Sequence, residues 1–345
     1  MAFVMGLLVL WSCQQKSKPI SFSIEEQQSG TDALLIGVSI LSEESIWMSG
    51  TKSTVIRTLD GGNTWDRFKH PEIDTFQFRD IHAFDDGNVI VLASGEGDNS
   101  QIHLFSPDDG WKTVFVMDNK KGFLNSIAFW NDREGLAYGD AFDESPYLLK
   151  TSDGGKSWER IDASSLPEAN EGEGGFASSG SCIDVGEGGK AWVGTGAGGS
   201  ARVIKTSDYG ESWEAYESPM VRGEFAGITS IHFRNDQNGM IAGGDLTDTE
   251  GYTENIAFSQ DAGETWDLAS TPNTVGAFYG SDFIKIGNRE IALVCGPNGA
   301  DLSLDGGNTW NTILEDNLWV TDLHPSGLGW VAGRDGKIFK IVFNQ

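Results

Sequence analysis

The sequence predicts an all-β fold, a seven-bladed β-propeller with turns of one recurring type, its ring closed by an N-terminal strand joining the C-terminal blade. Three observations carry that expectation. The pattern Ser/Thr-x-Asp-x-Gly-x-x-Trp occurs five times, at residues 58–65 (TLDGGNTW), 151–158 (TSDGGKSW), 206–213 (TSDYGESW), 259–266 (SQDAGETW) and 303–310 (SLDGGNTW). With a worn copy at 106–111 (SPDDGW), the pattern's Asp60, Asp108, Asp153, Asp208, Asp261 and Asp305 stand 44 to 55 residues apart, a blade-like period. Glycine supplies 45 of 345 residues, about twice ordinary usage, as a fold made of tight turns requires.

Each box reads as strand, turn, strand. Its Asp can accept hydrogen bonds from backbone amides one or two residues on. Its Gly supplies a positive φ without steric cost, and its Trp opens the next strand with a large surface for packing. Apolar pairs such as Val55-Ile56, Leu148-Leu149 and Val203-Ile204 precede the boxes, which completes the hairpin signal. These aspartates are therefore expected to be structural. Residues 330–333 (WVAG) repeat the apolar-then-Gly pattern of 47–50 and 240–243 and start a seventh blade, and 337–343 (KIFKIVF) give it a third strand. The alternation in 20–24 (ISFSI) suits the missing fourth. A ring closed in this way leaves no bare sheet edge. The propeller is expected over residues 19–345 as one domain.

Residues 2–11 form an apolar run too short to span a bilayer and resemble the core of a secretory signal. Residues 10–13 (LWSC) resemble a lipobox, which implies lipidation at Cys13. Residues 1–18 are accordingly expected to be a signal, anchor and tether, and the protein to sit in a bacterial cell envelope. Cys182 and Cys295 fall in blades four and six, which do not touch, so both are expected as buried free thiols. The net charge of −27 argues against nucleic acid and against docking of the body on anionic lipid; the anchor would be the sole membrane contact, and the chain is expected to be a monomer.

The boxes resemble the BNR or Asp-box repeats of sialidases, sortilin-type receptors and xyloglucanase-type glycoside hydrolases. The fuller units at 78–87 (FRDIHAFDDG) and 228–239 (ITSIHFRNDQNG), each followed by an apolar strand ending in Gly, look like those of the photosystem II stability/assembly factor-type propellers, seven-bladed relatives also found in non-photosynthetic bacteria. This resemblance implies the fold over nearly the whole chain beyond the leader. Those assembly factors carry a basic patch for docking, whereas this chain is acidic.

Strand parity assigns the faces. With strands A to D running outward from the axis, A–B and C–D loops share one face, and D–A and B–C loops the other. The boxes are C–D turns. The long acidic loops at 140–146, 162–175 and 245–254 fall on the opposite face, where function is expected, because binding residues concentrate on loops carried by rigid scaffolds. Arg79, Asn125, Ser181 and Thr229, with Asp80 and Asp282 in the adjoining row, begin the inner strands. One of the two rows should ring the channel mouth. Arg79, Asn125, Ser181, Thr229, Tyr279 and Asp282 are therefore the candidate ligand-binding residues.

The first functional expectation is a non-catalytic binding or assembly module for a protein or glycan on that face. The alternative is a carbohydrate-active enzyme, a glycoside hydrolase or lyase, whose hydrolytic form needs two carboxylates about 5–10 Å apart. Asp80, Asp282, Asp140 and Asp245 are its candidates, with Asp322 beside them. A sialidase would need an arginine triad and a Phe/Tyr-Arg-Ile-Pro motif, but Arg79 is followed by Asp80-Ile81. No cofactor is expected: residues 194–199 (GTGAGG) join strand to strand rather than opening a helix. No metal is expected either, since His70, His82, His103, His232 and His324 are scattered.

Overall fold

The computed structural model describes residues 20–344 other than 73, 143 and 253. The expected leader, with Cys13, lies outside the described residues. The chain forms seven four-stranded antiparallel sheets, and their inner strands touch one another around a complete ring. These strands are Leu35–Ile40, Phe78–Ala83, Leu124–Phe129, Ile183–Val185, Ala226–Phe233, Gly280–Ile286 and Leu318–His324. The seventh blade takes its outer strand from the other end of the chain: Ser21–Gln28 pairs with Lys337–Asn344 from Ser21↔Asn344 to Gln28↔Lys337. Phe22 and Ile24 then pack against Ile341 and Phe343 in the cluster between blades six and seven.

Seven apolar clusters fill the spaces between consecutive blades. The continuous apolar runs of the middle strands, such as Val89–Ala93, supply them, as sheets buried on both faces require. Cys182 and Cys295 are buried free thiols within this packing, and burial pushes both up, Cys182 to about 12.

A polar girdle joins the blades near the axis. Asp80 accepts from the Ile81 amide and, across the junction, from the Ile127 amide, both at 2.7 Å. Asp184 reaches Phe233 N at 2.6 Å and Asp282 reaches Leu323 N at 2.5 Å in the same way, and Asp322 accepts from Ile40 N. Hydroxyls close the remaining junctions: Ser39 to Ala83 N, Ser126 to Cys182 Sγ, and Ser230 to Ser281 N. A carboxylate that accepts two backbone amides can replace the water it lost on burial.

The boxes close as their spacing suggests. In the first, Thr58 Oγ1 donates to Asp60 Oδ1 at 2.8 Å, and Asp60 accepts from Thr64 N and Thr64 Oγ1 at 2.9 and 2.7 Å. The same bonds recur at Asp153, Asp208, Asp261 and Asp305. Residues 106–110 also make a tight hairpin turn, with Ser106 opposite Gly110, but among the described residues Asp108 accepts no such bond.

Candidate functional site

One backbone irregularity shapes the channel mouth. In five inner strands the pairing skips a residue, leaving Ile36, Arg79, Asn125, Thr229 and Trp319 as the extra residues of β-bulges. A bulge breaks the two-residue period and re-aims the side chain it carries. The two rows that parity offers are therefore mixed at the mouth. Arg79 and Trp319 line it. Asn125 is fully buried and donates to Asp140 Oδ1 at 2.9 Å. Thr229 is also fully buried, its hydroxyl on the Phe278 carbonyl at 2.7 Å.

The faces follow from backbone bonds. Within each of the five boxes an amide donates to the A–B end of the same blade: Gly61 to Glu44, Gly154 to Arg133, Tyr209 to Gly189 and Ala262 to Gln237 on the A–B loops, and Gly306 to Glu290 at the start of strand B, at 2.9–3.1 Å. On the opposite side the B–C and D–A loops bond each other, as Leu246 N does to Phe225 O at 2.9 Å.

On that opposite side a plug crosses the axis. The segment 176–180 leaves blade three and enters blade four by way of the mouth. Arg79 of blade two donates to Ala177 O at 2.9 Å, while Ser178 and Ser179 donate to Tyr279 O, beside blade six, at 3.2 and 2.6 Å. Gly180 has φ +68°, and a Cβ there would lie 2.5 Å from the Asp80 carboxyl carbon, so this crossing requires glycine. Ser181 carries the chain out of the plug, donating to Ser230 at 2.7 Å. A buried ion pair holds the plug's root. Burial alone would raise Glu173, yet bonds from Arg202, Thr195 and the Asn170 amide hold its carboxyl below the usual range.

Above the plug lies a depression of about 290 Å³ lined by Arg79, Phe123, Asp140, Gly175, Phe176, Ala177, Ser178, Leu246, Tyr279 and Trp319. Tyr279 meets Trp319 edge-on at 4.8 Å, and the Arg79 guanidinium stacks 5.5 Å from the Trp319 ring. Burial lowers Arg79 and raises Asp140 and Tyr279. Asp140 Oδ1 accepts from Asn125 and from Gly175 N, at 2.9 and 3.0 Å. Asp245 stands at the rim, bonded by the Thr247 hydroxyl and amide, which hold it low. Below the plug is a second space of about 240 Å³, against Asp80, His232 and Asp322.

The structure thus brings Arg79, Asp140 and Tyr279 together at the mouth and keeps Asp80 and Asp282 apart from it, inside the girdle. Burial raises Asp80 and Asp322 well above the carboxylate range, Asp322 also through its hydrogen bond with Asp282. Sequence reasoning missed the plug, Phe176, Leu246 and Trp319. The density of Gly and Ser over 172–181 was its one visible trace. Among the described residues no three His, Cys, Asp or Glu side chains converge as a metal site requires. A groove of about 840 Å³ lies on the box face beside Trp130, Phe233, Arg234 and Asp236. Two of its charges are already paired, Asp236 with Lys190 at 2.8 Å and Arg234 with Glu290 at 2.6 Å.

No family model matches the chain, and no curated protein matches it in sequence. Solved structures do match in shape. YCF48, a photosystem II assembly factor, solved as "YCF48 bound to D1 peptide", is 16% identical, with a TM-score of 0.64 over 95% of this chain and 98% of its own. YCF48 from Cyanidioschyzon merolae is 16% identical, with a TM-score of 0.65 over 92% and 98%. U3-55K is 10% identical, with a TM-score of 0.62 over 92% and 98%. At such identities the likeness is one of fold.

Proposed function

We propose that this chain is a non-catalytic docking module that holds a protein partner on the face opposite the boxes. One observation carries the reading. The mouth depression continues outward as an apolar strip, Trp319, Tyr279, Leu246 and Phe225, and the last is 52% exposed. Tyr252, 55% exposed, stands on the same loop as Leu246. Contiguous exposed apolar surface marks interaction sites, while about 290 Å³ is at the small end for enclosing a free ligand. That favours a protein over a glycan. The shape shared with a propeller solved with a bound peptide supports the same reading. Asp80 and Asp282, two of the candidate carboxylates for hydrolysis, lie in the girdle and each hold backbone amides with both oxygens, which leaves neither free for acid–base work. We also read residues 1–18 as an anchor lipidated at Cys13, which would hold a monomer at a cell envelope; labelled fatty acid should enter the wild type and not Cys13→Ala.

The test of docking is an unbiased peptide-display selection on the purified chain, with hits re-measured on Phe225→Ser/Leu246→Ser and on the box-face variant Trp130→Ser. The proposal expects hits that fail on the first variant and persist on the second. Hits with the reverse dependence, or hydrolysis of a glycan panel by the wild type, contradict it.

A further inference from the structure

The strip has an acidic border over blades four and five. The loops of blades four and five that carry Phe225 and Leu246 also carry Glu224, Asp245, Asp248, Glu250 and Glu254, with Glu171 on the loop that leads into blade four, and four of the six, Glu171, Glu224, Glu250 and Glu254, are exposed. The basic residue among these loops is Arg222, and it is held by Glu217 at 2.7 Å. Thr247 keeps Asp245 ionised by bonding its carboxylate. The cations at the mouth lie on the other side: Arg79, already engaged by Ala177 O, Gln77 and the Trp319 ring, and Lys120 and Lys121 beside Phe123. Among the described residues Glu171, Glu224, Glu250 and Glu254 make no ion pair, and an apolar track rimmed by such acids is complementary to one chemistry of partner.

We infer that the partner segment is both cationic and apolar: an extended stretch alternating Lys or Arg with aromatic or aliphatic residues. One apolar side chain enters the mouth depression, and the cations reach the acidic loops of blades four and five. This rests on the docking reading above and adds the chemistry of the occupant. The energetics divide accordingly. An apolar anchor in a desolvated pocket supplies affinity. The acidic rim supplies orientation and association rate, and it excludes acidic segments, whose like charges would be held close to it.

Three fluorescein-labelled peptides of equal length and identical Leu and Phe positions test this, with Lys/Arg, Ser or Glu at the alternate positions. Fluorescence anisotropy on the wild-type chain should show the Lys/Arg peptide binding best, with affinity falling as salt is raised. Phe225→Ser/Leu246→Ser should weaken that peptide about tenfold. Glu250→Lys/Glu254→Lys should weaken it about fivefold and flatten its salt dependence. Both pairs are surface changes, and an unchanged melting curve verifies the fold. Glu44→Lys, on the box face, should leave binding unchanged. Equal binding of the Ser and Lys/Arg peptides, or tighter binding of the Glu peptide, overturns the inference while leaving docking at the mouth intact. No binding by any of the three also overturns it. Binding indifferent to Phe225 and Leu246 overturns both the inference and the docking reading.

Discussion

An aspartate in this chain does one of two jobs, and its surroundings decide which. In the boxes, a Ser or Thr four residues on donates to the carboxylate and lowers it: Thr64 and Ser212 hold Asp60 and Asp208 at about 2. In the girdle, burial raises the carboxyl instead. Asp322 packs against Asp282, and His232 Nδ1 lies 3.5 Å from Asp282 Oδ1. Because Asp322 is raised on folding, its contribution to stability is complete below the ordinary carboxylate value of about 4 and is lost as pH rises through its folded value. Urea midpoints of the wild type should carry that decline from about pH 4 upward, and Asp322→Asn should flatten it. An unchanged slope would show that the pair does not hold a proton. The boxes have the opposite sign, since the stability they give fades only as pH falls from about 4 towards 2. Asp208→Ala should cost about 1 kcal/mol through its lost bonds, whereas Asp108→Ala, at the worn turn, should lie within about 0.5 kcal/mol of the wild type. The box aspartates were legible because a fixed offset from Gly and Trp has one structural meaning. The girdle aspartates were not, because a two-residue period leaves two facing directions open until the bulges at Arg79, Asn125, Thr229 and Trp319 are seen.

At the scale of elements, two segments hold the ring and its mouth in shape. The closing strand was readable in advance: Phe22 and Ile24 alternate with polar residues, and the last blade lacked a fourth strand. Removing residues 20–28 should bare the edge of Lys337–Asn344 and the apolar side chains beneath it. The expected result is a lower unfolding temperature and edge-driven self-association, both visible in a melt followed by light scattering. The plug was unreadable for a physical reason. Gly and Ser clusters signal an exposed loop, and only convergence of several blades on one axis buries residues 177–179. Gly180→Ala forces a Cβ against Asp80 at a positive φ and should destabilise the plug by about 1–2 kcal/mol. Hydrogen exchange should then quicken at 176–181 while the middle strands stay protected. Quickening spread evenly through all blades would contradict a local plug.

For the whole molecule, the ring decides which chemistry can meet. Arg79, Asp140, Leu246, Tyr279 and Trp319 are far apart in sequence and belong to different blades, yet they share one mouth. The charge of −27 is expressed there as an acidic border on blades four and five. Which loops share a face was legible from strand parity; the apolar strip was not, since Trp319 and Leu246 are indistinguishable from core residues until the fold places them. The central claim is that this face, and not the boxes, receives a partner. Amide hydrogen exchange of the chain with and without a display-selected peptide tests it most directly. The account predicts slowed exchange at residues 174–181, 225–226 and 245–247, with the box turns unchanged. Protection concentrated at the boxes and the adjoining A–B loops, with the mouth unaffected, would contradict it.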